Sequence, residues 1–576
     1  MTDPFMAGIT LRTAISATPS TPQRTGEALA KGREDRERGA GLLWLAAGIA
    51  VGAVVAAGLI WGGMTLLSPT REMESLPTPR FIEESVAAGV THSYEGEFNF
   101  FVGGGTAVLD CDGDGRSDLY IAGGTNPASL YRNRSSIGGS LRFERVTSSP
   151  ALSLTEVTGA YPLDVDGDGF VDLAVLRYGE NVLLRGLGNC EFERANETWN
   201  VDGGNEWTVA FSAKWEKSSA MPTLVFGNYL GPQGQQTGEC SPHYLFRPEA
   251  NTYGRPTELR PGLCTLSILF SDWDRSGRSD LRITNDRHYY REGQEQLWQV
   301  EDGATPRLYD ADDGWQRMQI WGMGIASQDL TGDGLPEVFL TSQGDNKLQT
   351  LAGDQSSPNY GDIAFEVGAT AHRPYAGGDA LPSTAWHAEF DDVNNDTYMD
   401  LYIAKGNVEA QAGYALLDPS NLLMGNPDGT FTEGAVEAGL VNFARARGGA
   451  VVDLNLDGML DLVEVNRREN VELWRNLRSS GNWLQVKIQQ PNGNLDAIGS
   501  WLELDLGGRV TSRELTVGGG HAGGQLGWVH FGLGDLTSAR LRVIWPDGAS
   551  SPWWRVAAGQ FLIVDREQEE PIRWEP

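Results

Sequence analysis

Apolar and polar positions along this chain repeat in one frame from residue 81 to about residue 479. An apolar run comes first, often with a glycine five residues before an acidic turn, as at Gly105, Gly159, Gly324 and Gly448. Beyond the turn, Leu119-Tyr120-Ile121, Leu173-Ala174-Val175, Leu281-Arg282-Ile283, Val338-Phe339-Leu340 and Leu401-Tyr402-Ile403 show the period of two of a strand. A third element follows as SLYRN, NVLLRG, EQLWQV, NKLQTL, NLLMGN and VELWRN, and a fourth opens on Phe143, Phe192, Phe365 and Phe431. Four short strands per unit, repeated about seven times, predict an all-β chain with a seven-bladed β-propeller over residues 81–479. The stretch FIEESVAAGV at residue 81 matches FTEGAVEAGL at 431, so the N-terminal piece is expected to supply the outer strand that the last unit lacks. From residue 480 the alternation is denser, in WLQVKIQ, SWLELDL, RELTV, WVHFGL and LRVIW, which predicts a small β-sandwich or barrel-like domain over 480–568.

One segment has no polar frame at all. No charged residue occurs from Gly39 to Thr70, a run long enough to cross a bilayer as a helix, for which about 20 apolar residues suffice. Residues 39–68 are therefore expected to be a transmembrane helix. Arg12, Arg24, Lys31, Arg33, Arg36 and Arg38 precede it, whereas Arg71 and Arg80 are balanced by Glu72 and Glu74 on the other side. That asymmetry makes residues 1–38 a basic cytoplasmic tail, 69–80 a linker, and the bulk periplasmic or extracellular. A cleaved leader is the alternative.

The turns carry the candidate chemistry. They read DCDGDGRSD, DVDGDGFVD, DWDRSGRSD, DLTGDGLPE, DVNNDTYMD and DLNLDGMLD, starting 54 to 63 residues apart except for one double step. Inside that double step, WTVAFSAKWEKSSAMPTLVFGNYL keeps the frame with Ser212 in place of the first aspartate, a unit that has lost its acids. Carboxylates this close repel one another and resist burial, so the spacing calls for full solvation or a cation. Side-chain oxygens at positions one, three, five and nine, a carbonyl at seven and glycine at six suit Ca²⁺, which takes 6 to 8 oxygens at about 2.3 to 2.6 Å. The ligand sets are Asp110, Asp112, Asp114 and Asp118; Asp164, Asp166, Asp168 and Asp172; Asp272, Asp274, Ser276 and Asp280; Asp329, Thr331, Asp333 and Glu337; Asp392, Asn394, Asp396 and Asp400; Asp453, Asn455, Asp457 and Asp461. Loops 110, 164 and 453 are the most complete. Position twelve, where an EF-hand needs glutamate, is Ile121, Val175, Ile283, Leu340 or Ile403, and only the last loop has Glu464, so EF-hands are rejected. The ions are expected to be several and structural.

Charge and cysteines narrow the class. A net charge of -32 with no basic stripe argues against nucleic acid as a partner. In an oxidising compartment Cys240 and Cys264, which bracket a polar loop, are the expected disulfide, and Cys111 and Cys190 read as buried thiols. His521, alone in a glycine-rich loop, reads as a surface or turn residue, and neither it nor Asp496 is expected to be catalytic.

The loops and their flanks, WGMGIASQDLTGDG above all, resemble the FG-GAP or VCBS repeats of integrin α-subunit propellers. The tail from Asn482 resembles the ASPIC/UnbV domain through NLDAIGSWLELDLGGR, GGGHAGG, VHFGLGD and LRVIWPDG. The combination resembles the cartilage acidic protein family, which implies a calcium-stabilised extracytoplasmic propeller used for adhesion or interaction, with no settled biochemical activity. The expected function is a membrane-anchored interaction module for a protein or glycan, with residues 231–263 and 352–384 as candidate recognition surfaces. An envelope polysaccharide enzyme, which would need two carboxylates about 5 to 9.5 Å apart in a cleft, and a passive scaffold of an envelope complex are the alternatives.

Overall fold

Each acidic turn joins two antiparallel strands, and the apolar runs on either side bury them. The computed structural model describes residues 76–217, 219–231, 237–286, 293–353 and 355–576, all within one compact unit, Pro69–Pro576. The expected basic tail and transmembrane helix lie outside the described residues; among those described, no helix is long and apolar enough to cross a membrane.

The first repeat pairs Thr106–Leu109, Asp118–Ile121, Ser129–Asn133 and Phe143–Arg145 in sequence order. The same antiparallel order recurs in the units that begin with the strands Val157–Leu163, Glu206–Lys214, Thr265–Ser271, Gly322–Gln328, Ala385–Asp391 and Ala446–Val452. These first strands touch one another in succession, and the last touches the first, so they line a central channel. The N-terminal strand Phe81–Glu83 closes the circuit as expected, with Phe81 opposite Asn476 at the outer edge of the last sheet. In six of the first strands the register shifts near the start, and such bulges bend a strand and re-aim its side chains.

Some details differ from the sequence reading. Ser212 does not hold the place of a first aspartate: it lies inside Glu206–Lys214 opposite Val225, and the loop begins three residues later at Trp215. Without alternating acids to mark the turn, the strand frame there had no anchor. Within the expected insert 231–263, the described residues from 237 on are not free, because His243–Phe246 and Thr257–Leu259 complete that sheet. The outer strand expected at Phe365 is Tyr360–Asp362, and Phe365 sits exposed in the turn after it. Cys240–Cys264 is bonded as expected, but Cys111 and Cys190 form a second disulfide rather than two thiols.

The tail is a two-sheet sandwich, as its alternation predicted. One sheet orders Val529–Gly534, Asn482–Gln489, Gln560–Asp565 and Ile572–Trp574, running past residue 568; the other orders Val510–Glu514, Trp501–Asp505, Ser538–Ile544 and Trp554–Ala557. Leu484, Val486, Leu502, Leu504, Phe531 and Leu541 fill the space between them.

The glycine run of the tail leaves this sandwich and enters the channel of the ring. Gly524–Gln525 adds a parallel strand to Thr106–Leu109, and the Gly519 and Gly520 amides donate to the carbonyls of Ile268 and Ile325. This accounts for two of the four recurrent glycines before acidic turns: a Cβ on Gly105 or Gly159 would lie 1.8 or 1.9 Å from the Ala522 carbonyl oxygen.

Candidate metal centres

Six loops share one backbone trace. Positions four and six take left-handed backbone: Gly113 and Gly115 (φ 74° and 82°), Gly167 and Gly169 (70° and 86°) and Gly332 and Gly334 (75° and 88°). The same trace is imposed on Arg275, Asn395, Thr397 and Leu456 at φ between 56° and 82°. The position-one carboxylate accepts the turn amides, as Asp164 does from Gly167 (2.8 Å) and Gly169 (3.0 Å), and Asp329 from Gly332 (2.8 Å) and Gly334 (3.1 Å). The position-nine carboxylate ties the loop to the sheet: Asp172 accepts from the Val165 and Gly186 amides at 2.7 Å, and Asp461 from Leu454 (2.9 Å) and Asn476 (2.8 Å).

These acids are buried. Desolvation pushes the carboxyls of Asp164 and Asp453 up to about 7, those of Asp272 and Asp329 to about 6, Glu337 to about 7 and Asp172 to about 8. Asp118, Asp392, Asp400 and Asp461 are driven well above the usual carboxylate range, by burial first and neighbouring carboxylates next. Asp110, Asp112 and Asp118 converge within 4.8 Å, as do Asp164, Asp166 and Asp172. Buried oxygens of Asp112, Asp166, Asn455 and Asp272 have no hydrogen-bond partner. Oxygen donors left over in a buried acidic loop fit a hard cation such as Ca²⁺.

The loops are not equal. Loops 110, 164 and 453 keep an orphan oxygen at position three, although Arg185 also reaches Asp166 (2.7 Å) and Asp168 (2.6 Å), and Arg132 reaches Asp112 (3.2 Å). In loop 272, Asp280 is engaged by Arg278, Tyr309 and Trp273, and Ser276 offers no carboxylate beside Asp274. In loop 329, Thr331 stands at position three, and Asp333 and Glu337 accept loop amides. In loop 392 the Asn394 amide donates to Asp396, which also accepts from the Leu76 amide. The acid-less sheet holds its own ion pair, Arg247 on Glu216 at 2.6 Å. Glu464 accepts from Tyr402 (2.6 Å) within its strand and is no twelfth-position ligand.

The tail covers this acidic face. Trp528 donates to the Gly115 carbonyl (3.0 Å), and Gly493 backs Gly167 in loop 164. Glu514 accepts from the Asp272 amide (2.8 Å), and Gln328 beside loop 329 donates to the Ser512 carbonyl (2.7 Å). His530 bonds Asn395 (2.6 Å), and Gln485 donates to Asp453 (2.7 Å). The sequence reading missed Glu514, whose carboxyl burial pushes up to about 8, because no motif marks an acid contributed from another part of the chain. It also misplaced His521, which is fully buried in the channel.

Residues 110–175 match the model of an FG-GAP-like repeat, and residues 490–571 that of ASPIC and UnbV. The chain thus carries an FG-GAP-like repeat and a C-terminal ASPIC and UnbV domain. No curated protein sequence matches it significantly. Among solved structures it is similar to BBS1N in complex with ARL6DN (11% identity, TM-score 0.41, covering 71% of this chain and 99% of that one). It is also similar to an Agrocybe aegerita lectin that recognises non-reducing terminal N-acetylglucosamine (16%, TM-score 0.35, 63% and 92%). A third is the extracellular domain of the hybrid two-component system BT4673 of B. thetaiotaomicron (8%, TM-score 0.37, 85% and 59%).

Proposed function

We propose that the ring is a seven-bladed β-propeller with Ca²⁺ in its acidic loops, held outside the cytoplasm by the N-terminal apolar segment, and acting as an adhesion or interaction module. The observation that carries this reading is the placement of the tail. Because the chain's own C-terminal domain covers the acidic loops, the opposite face is the one left for a protein or glycan ligand. Rigid rings that present loops on one face suit recognition. The side chains at positions one, three, five and nine would hold the ions, whose binding stabilises the fold by mass action.

An enzyme is not favoured. Glu409 on the uncovered face is partly buried, which raises its pKa, but Arg467 hydrogen-bonds it and Arg445 and Arg468 add charge, so its carboxyl stays below the usual range rather than poised as an acid.

The test is a thermal melt and a capture experiment on the full-length chain in detergent. Ca²⁺ added after chelation is expected to raise Tm by several degrees, and the chain is expected to retain a protein or glycan from envelope extract in Ca²⁺ and not in chelator. A Tm indifferent to chelation would remove the metal from the reading, and no capture in either condition would remove the interaction role.

A further inference from the structure

Where a first strand ends, its acidic loop begins, so the starts of those strands mark the opposite mouth of the channel. A cavity of about 500 Å³ lies there, lined by Trp207, Trp321 and Trp386 at or beside the starts of three first strands. Its size falls in the ~300–1,000 Å³ range of small-ligand sites. Phe98 and Tyr229 extend the aromatic wall, with ring centroids 5.8 and 4.8 Å from that of Trp207. Planar polar groups share the lining: Asp286, Gln343 and Gln411, the Gln343 amide donating to Gln411 at 2.6 Å.

Two features point to a ligand. The indole N–H of Trp207 is buried with no hydrogen-bond partner, and a buried donor left unsatisfied is unfavourable. The wall is also braced in place. Buried Arg447 stacks 4.2 Å from the Trp386 ring centroid and donates to the carbonyls of Phe101 (2.9 Å), Asn407 (3.3 Å) and Val408 (2.7 Å). Trp386 itself donates to the Gly406 carbonyl at 2.7 Å.

The lining selects among ligand classes. A cation such as a quaternary ammonium would suit the aromatics, but the Arg447 charge lies against Trp386, and Glu409 is already shared by Arg445, Arg467 and Arg468. A purely apolar ligand would offer nothing to the remaining hydrogen-bonding capacity of the Asp286 carboxylate, which already accepts from Tyr229, or of the paired Gln343 and Gln411 amides. A sugar ring offers an apolar C–H face to the aromatics and a rim of hydroxyls, each donor and acceptor, to the amides, the carboxylate and the indole N–H. We infer that this cavity is a saccharide-binding site. The inference rests on the reading of the ring as an interaction module and narrows its ligand.

The test uses the full-length chain in Ca²⁺, probed with glucose, galactose, mannose and N-acetylglucosamine and their short oligomers. Tryptophan fluorescence and saturation-transfer NMR report binding. At least one sugar is expected to bind, with affinity falling about tenfold or more in Trp321→Ala, the loss typical of an aromatic anchor. Gln343→Ala and Trp207→Phe, which removes the N–H and keeps a ring, should weaken the same sugar with Tm held. Equal binding by all three variants would overturn the assignment of the cavity, and no binding by the wild type would overturn the ligand class. If no sugar binds while envelope extract still yields a protein partner, the saccharide site falls and the interaction module stands. If neither is found, both fall.

Discussion

His521 is held as one neutral tautomer by its neighbours. Its Nδ1 lies 3.1 Å from the Met323 carbonyl and so carries the proton, which leaves Nε2 to accept from the Gly103 amide at 3.2 Å. A second proton would break the latter bond inside a buried channel, and burial pushes the pKa down to about 3. His243 and His530, also buried, are pushed to about 4. In the unfolded chain a histidine titrates near 6.5, so below that pH the unfolded state binds more protons than the folded one. Stability from these groups is complete above about pH 6.5 and is lost as pH falls toward 3 to 4, by about 1.4 kcal/mol per histidine at pH 5.5. The loop carboxyls, raised by burial, act in the opposite sense, so a variant isolates the effect. His521→Asn is expected to make the acid-side slope of unfolding free energy shallower by about one proton in urea titrations between pH 4 and 6.5; an unchanged slope would show that His521 does not titrate on unfolding. Gly105 carries the complementary steric constraint. Gly105→Ala, whose Cβ would meet Ala522 at 1.8 Å, is expected to cost about 3 kcal/mol or more, while Gly361→Ala, whose Cβ meets nothing within 4 Å, is expected to be near neutral.

Within a loop, the carboxylates divide into two jobs that substitution can separate. Asp172 binds amides of its own turn and of the third strand, so Asp172→Asn loses an acceptor and is expected to lower stability by about 1 to 3 kcal/mol already in chelator, before any loss of the Ca²⁺ increment. Asp168 accepts one loop amide at 2.9 Å and pairs with Arg185 at 2.6 Å near the surface, where such a pair contributes little, so Asp168→Asn should reduce mainly the increment that Ca²⁺ adds. Melts of both variants in Ca²⁺ and in chelator check this; equal losses in both conditions for Asp168→Asn would deny it a ligand role. The loops were legible in the sequence because acids at fixed spacing recur with strand periodicity on both sides, and the closing strand because FIEESVAAGV repeats FTEGAVEAGL. What escaped notice had no local pattern. Left-handed backbone at position four is masked by Arg275, Asn395 and Leu456, which adopt it without being glycine. Cys111 and Cys190 are 79 residues apart and meet only because successive sheets are neighbours. The strand that docks the tail, Gly524–Gln525, is too short to alternate.

For the molecule as a whole, ring and tail share one interface rather than sitting as beads on a chain. The tail reaches loop after loop, sends its glycine run through the channel, and places Arg513 on Asp391 (2.7 Å) and Glu503 on Arg275 (2.6 Å) beside them. If ions hold the loops in shape, they also hold the surface on which the tail docks. The segment joining the two, Leu477 to Gly481, includes exposed Arg478 between the strands Glu472–Asn476 and Asn482–Gln489, and is a ready trypsin site once the tail loosens. Limited trypsin digestion in Ca²⁺ is therefore expected to leave ring and tail in one fragment. Chelation should open cleavage at Arg478 at least several-fold faster, because local opening sets the rate when reclosing is fast. Gly105→Ala, which presses on the run inside the channel, should speed the same cut even in Ca²⁺. Cleavage at Arg478 at one rate in Ca²⁺, in chelator and in the glycine variant would mean that the tail docks independently of both the ions and the channel.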